Sequence, residues 1–133
     1  MIEPPKLQYL LTCDAIVASP DGKQTLYGLF DRIHAGAFPC AVAQMAVAWG
    51  IRTSVPRDVR LQLVSCAGDV LMASDAIHVE GSESLTRGQY VLQSVQFTSP
   101  GRYWFRVVVD GDALGDVPVD VEHIGGRAPN EPE

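Results

Sequence analysis

The chain has 133 residues, enough for one domain with one core and too few for two independent cores. Hydrophobic residues make up 47% and charged residues 20%, which excludes a disordered chain, and no apolar run reaches the ~18 residues of a membrane span. The net charge of −6 opposes a polyanionic partner, because nucleic-acid affinity rests on Lys and Arg displacing counterions; neither nucleic acid nor a membrane is expected as partner.

The chain opens "MIEPPKLQYLLTCDAIV", with an acid at position 3, two prolines and one Lys before a broken apolar stretch. A secretory signal needs a basic start and an unbroken apolar core, so a cytoplasmic location is expected. Cys13, Cys40 and Cys66 are odd in number and widely spaced, which fits reduced thiols in that compartment. From there the dominant period is two, and strands are predicted near 7–18, 24–34, 43–53, 58–66, 69–79, 89–98, 102–110 and 115–123. "SPDGK" at 19–23 turns the chain between the first two: Pro20 presets φ, Asp21 and Gly22 complete the reversal. That turn sets Leu11 near Asp31, so Tyr9, Leu11, Cys13, Ala15 and Val17 share a face with Tyr27, Leu29, Asp31 and Ile33. On this reading Asp31 is an acid on the more apolar face, paired or bonded as a loop organiser, while Asp14 points the other way.

"AVAQMAVAWG" is ambiguous, since Met45, Val47, Trp49 and Ile51 fit a strand while Val42, Met45, Ala46 and Trp49 would line a helix. The strand is preferred because a helix would interrupt the meander on both sides. "VRLQL" at 59–63 alternates clearly, and "EGSESLTRGQ" at 80–89 is long enough for a loop crossing between sheets. In "RYWFRVVV" Tyr103, Phe105, Val107 and Val109 alternate against Arg102, Trp104, Arg106 and Val108. "DGD" at 110–112 turns the chain into "VPVDVE", and "GGRAPNEPE" at 125–133 reads as a flexible tail after a domain spanning 1–124. About eight short strands with turns every ten to twelve residues imply an all-β, two-sheet antiparallel sandwich.

"LLTCDAIV…DGKQTLYGLFDRIHAGAFP", followed by "SPGRYWFRVVVDGDALGDVPVDV", resembles an uncharacterised bacterial family. Its members pair a Cys-Asp strand, an Asp-Gly-Lys turn, a Gly-x-Phe-Asp strand and a C-terminal Pro-Gly-x-Tyr-x-Phe hairpin. The resemblance implies a small bacterial β-sandwich and transfers no catalytic residue. Residues 100–109 also resemble the late strands of immunoglobulin-like domains, in which a Tyr hydroxyl, here that of Tyr103, ties a corner to nearby backbone.

Asp110, Asp112 and Asp116 crowd one short stretch, but a calcium loop started at Asp110 puts Leu114 and Val121 at two of its ligand positions. The hairpin reading is preferred. Cys13, His34, Cys40, Cys66, His78 and His123 lack the close paired spacing of a zinc site, so no metal or other cofactor is expected. Arg102, Trp104 and Arg106 would form an outward ladder, either a contact surface or Arg stems covering an exposed ring. The sequence therefore predicts a non-enzymatic interaction or structural module, bound to a protein partner or to itself as a homodimer. The alternative is a small-ligand or metal-dependent enzyme centred on Asp31, His34 and Cys13.

Overall fold

Period-two patterning produces ten strands and no helix in the computed structural model, which describes residues 3–124. The expected tail at 125–133 lies outside the described residues. The strands are β1 (Lys6–Ala18), β2 (Gln24–Leu29), β3 (Arg32–Ala35), β4 (Cys40–Thr53), β5 (Arg57–Val64), β6 (Val70–Ala73), β7 (Ile77–Val79), β8 (Ser82–Phe97), β9 (Gly101–Val109) and β10 (Asp112–His123). They form a sandwich of two sheets, one ordered β2-β1-β4-β8 and the other β3-β10-β9-β5-β6, with β7 also on β5. All pairings are antiparallel except that of β3 with β10.

The core lies between the inner faces. Met45, Val47, Trp49 and Ile51 of β4 meet Leu61 and Leu63 of β5 and Phe105 and Val107 of β9, all essentially buried. Removing so many large apolar side chains from water supplies the main stabilisation, roughly 1.5–3 kcal/mol for each one fully buried. "AVAQMAVAWG" is strand throughout, and its alanines lie on the face opposite that core row. Two hydroxyls close the ends. Tyr90 of β8 donates to the Val59 carbonyl of the opposite sheet at 2.8 Å, and Tyr103 donates to Ser99 at 2.7 Å, the corner tie expected of it.

Three stretches depart from the expected strand pattern. The single strand expected over 24–34 is two strands in different sheets. Gly28 takes φ 66°, Phe30 turns its ring to the core, and the Asp31 carbonyl accepts from the Asp120 amide, which starts β3 alongside β10. The strand expected over 69–79 is broken by Ser74, whose hydroxyl accepts from the Leu61 amide at 2.8 Å; β6 and β7 then follow one another along β5 with a one-residue slip. The loop expected over 80–89 is instead the first half of β8, paired with β4 from Ser82 onward. Ten strands thus replace about eight.

The β1–β2 register agrees with the expected one, pairing Ala15 with Tyr27 and Cys13 with Leu29. The facing does not. Leu10 pairs with Trp49 and points to the core, so Leu11, Cys13, Tyr27 and Leu29 lie on the outer side.

Candidate functional site

The SPDG turn does more than join two strands. Gly22 takes φ 87°, and the Asp21 carboxylate accepts from the Ser19 hydroxyl and the Lys23 amide, a rigid tip. β2 and β8 are opposite edges of their sheet, separated by β1 and β4. Yet Gln24, at the tip of the hairpin, donates from Nε2 to the Gly88 carbonyl and to Gln89 Oε1, each at 3.3 Å, both on β8. Only a hairpin curled back across the outer sheet face can make those bonds. The Tyr9 hydroxyl locks the curl by donating to Gln24 Oε1 at 2.8 Å.

Small residues make the curl possible. Cys13, Ala46 and Ala48 are fully buried on the outer side, and the Tyr9 ring occupies the space that a side chain at Gly50 would need. Larger groups there would push the hairpin away from the sheet. Burial raises the Tyr9 phenol above its ordinary range, while the adjacent Arg87 guanidinium pulls it down. The outcome is an open groove beneath the hairpin and an exposed apolar face. Among the described residues, five of the eight exposed large hydrophobic side chains (Leu11, Val17, Tyr27, Leu29 and Val91) lie on the outer side of this one sheet.

The residues singled out from sequence distribute as follows. Asp31 is exposed, which corrects the expectation of a buried acid; its main-chain carbonyl organises the crossover. Asp14 is exposed, with its carboxyl group lying where a Gly28 side chain would stand. The Cys13 thiol donates to the Ala46 carbonyl at 3.8 Å, and burial raises it away from the thiolate form a nucleophile needs. His34 lies on the other sheet, 3.7 Å from Glu122. The structure therefore does not gather Asp31, His34 and Cys13 into one site. No cluster of three metal-ligating side chains occurs among the described residues.

Trp104 points away from the core and is half-buried, level with Pro118 on β10 and Val64 on β5. Its flanking arginines turn sideways. Arg102 binds Asp120 through two hydrogen bonds of 2.7 and 3.1 Å, and Arg106 lies 3.9 Å from Asp116. The Arg102 bonds hold the Asp120 carboxyl below its ordinary range. This stripe is thus compensated across β10, a pairing invisible in the i±2 spacing of β9 alone. In the acidic stretch, Asp110 and Gly111 both take positive φ and turn the hairpin, and Asp110 Oδ1 accepts from the Asp58 amide at 3.0 Å. The curled hairpin was missed from sequence. The one available signal was the excess of small residues at Ala46, Ala48 and Gly50.

The fold is similar to that of part of the Pseudomonas fluorescens alkylpurine DNA glycosylase AlkC, with a TM-score of 0.56 at 13% identity. The match covers 89% of this chain, which spans only 30% of that one. An immunoglobulin-like protein from Pseudomonas aeruginosa is similar over 90% of this chain and 98% of its own, at 8% identity and a TM-score of 0.45. A Listeria innocua β-glucosidase matches 91% of this chain over 16% of its length, at 12% identity and a TM-score of 0.47. No curated protein matches the sequence. The family model that matches does so over residues 8–122, nearly the whole sandwich, and the chain belongs to that family, a family of unknown function (DUF6941).

Proposed function

We propose that this protein is a non-enzymatic cytoplasmic interaction module of a bacterium that pairs with a second copy of itself through the β1–β2 hairpin. The observation that carries this reading is the exposed apolar row Val17, Tyr27 and Leu29 beside an uncovered edge strand. Contiguous exposed apolar surface costs free energy in water and marks contact sites, and an open edge strand is a template for further pairing. A second copy can meet this strand despite its charge. Two chains of net −6 repel, and β2, with sequence QTLYGL, is a charge-free place for two-fold-related surfaces to meet.

Sedimentation equilibrium on the full chain tests it. A reversible dimer is expected, and Leu29→Asp, which sets two carboxylates close to the two-fold axis, should yield a monomer with parent-like thermal unfolding. A parent that stays monomeric, or a Leu29→Asp variant that still dimerises, overturns the reading. The Arg102–Trp104–Arg106 stripe is the second contact surface proposed, supported by the part-exposed Trp104 ring between two ion pairs. Dissociation by Trp104→Ala and not by Leu29→Asp would move the interface to that face.

A further inference from the structure

The groove beneath the curled hairpin has a volume of about 440 Å3, within the range of roughly 300–1,000 Å3 found for small-molecule sites. Leu11 and Leu26 supply apolar walls, Tyr9 and Gln24 close one side, and Lys23 and Arg87 stand at the rim. Asp21 also lines it, but its carboxylate is engaged by its own turn and by Lys23 at 3.8 Å. That leaves Arg87. Among the described residues, Arg32, Arg57, Arg102 and Arg106 each meet a carboxylate, and Arg52 and Arg60 donate to main-chain carbonyls. Arg87 lies within pairing distance of no carboxylate among those residues, although the chain carries 16 acids against 10 basic residues. An uncompensated cation beside two leucines, in an otherwise acidic protein, is complementary to a ligand with an anionic head and an apolar body.

We propose that this groove binds an organic monoanion, with its carboxylate on the Arg87 guanidinium and its apolar body across Leu11 and Leu26. The planar guanidinium matches a carboxylate through two parallel charge-assisted hydrogen bonds, which fixes orientation as well as charge. The Tyr9 hydroxyl donates to Gln24 and lies against the Arg87 guanidinium, so it holds both the hairpin tip and the guanidinium in place and leaves the remaining Arg87 donors to the ligand. The groove is open along one side, which suits an elongated acid of medium-chain fatty-acid size. The groove adjoins the outward apolar row proposed for self-association, with Leu11 lining it on one side and bordering Leu29 on the other.

Octanoate titrated into the isotope-labelled full chain tests the assignment by NMR. Amide signals of Leu11, Gln24 and Leu26 and the Arg87 side-chain signal should shift together and saturate. Arg87→Gln should weaken binding about 10-fold or more, the loss expected when the charge-assisted pair of bonds is removed. Arg52→Gln, on an exposed arginine outside the groove, should leave it unchanged. Octanol and octylamine should each bind less tightly than octanoate. Leu26→Gln, in the apolar wall, provides a second variant in which binding should also fall. Shifts absent from the groove, equal affinity of the Arg87→Gln variant, or octylamine binding as tightly as octanoate would each overturn the proposal.

Discussion

Gly88 shows how one missing side chain sets local packing. A Cβ there would overlap the six-membered ring of Trp49, which lies against the backbone of β8. Gly88→Ala should therefore destabilise the fold by about 1–3 kcal/mol through overpacking, read as a lower urea midpoint with unchanged m-value. Tyr90→Phe deletes the bond to Val59 and leaves a buried carbonyl short of a partner, a loss of about 1 kcal/mol. Asp31→Ala sits at the other extreme. A buried acid would make this substitution costly, but the exposed side chain predicts a change within about 0.5 kcal/mol. Thermal unfolding of the three variants side by side checks the ranking. Residue-level inference from sequence succeeded for Tyr103, whose spacing from Ser99 is local. It failed for Asp31, because whether that acid is covered depends on a strand ninety residues away.

At the scale of elements, β7 is held to β5 by an exposed histidine between two acids. The His78 ring lies 3.0 Å from Asp58 through Nδ1 and 3.3 Å from Glu80 through Nε2. The hydrogen bond to Asp58 is the main reason that its pKa is raised above the ordinary histidine value, with both carboxylates adding to it. A raised folded-state pKa means that the contribution is fully present below the unfolded value, near 6.5, and is lost as pH rises through the folded value. Amide exchange in Ile77–Val79 should thus be slower, relative to intrinsic rates, at mildly acidic than at mildly alkaline pH. Asp58→Asn should remove most of that difference and lower the His78 titration midpoint. The Arg102–Asp120 pair obeys the opposite sign. Its depressed carboxyl contributes above the unfolded aspartate value and loses that contribution as pH falls through the folded one.

At the scale of the whole molecule, charge and apolar surface make separable predictions about association. Copies of net charge −6 repel at long range, while the hairpin face proposed for pairing carries no charge. Added salt should therefore strengthen dimerisation, because it screens the repulsion without weakening an apolar contact. An interface built on the Arg102–Trp104–Arg106 stripe would gain from salt as well, because its arginines are already paired with Asp120 and Asp116 within the chain and the repulsion between copies is the same. Sedimentation at low and high ionic strength checks the salt response, and Leu29→Asp against Trp104→Ala separates the two surfaces. No helix of the described residues is long and apolar enough to cross a membrane.

The sequence by itself determined the all-β class, the period of two, both Asp-Gly turns, the β1–β2 register and the inward face of β9. Each is set by chemistry within a few residues: turn dihedrals, side-chain alternation and the concentration of Val, Tyr and Phe. Only the tertiary structure decided which face of β1 meets the core, where 24–34 crosses between sheets, and that the hairpin curls back to β8. Alternation says that two faces of a strand differ, not which layer will cover each one. In β1 the face richer in apolar residues turns outward because Leu10 and Thr12 pair with Trp49 and Val47, and Cys13, Ala46 and Ala48 are small enough to bring the hairpin over them. The partners that settle the matter lie on β4 and β8, far away in the chain, where no local pattern reaches.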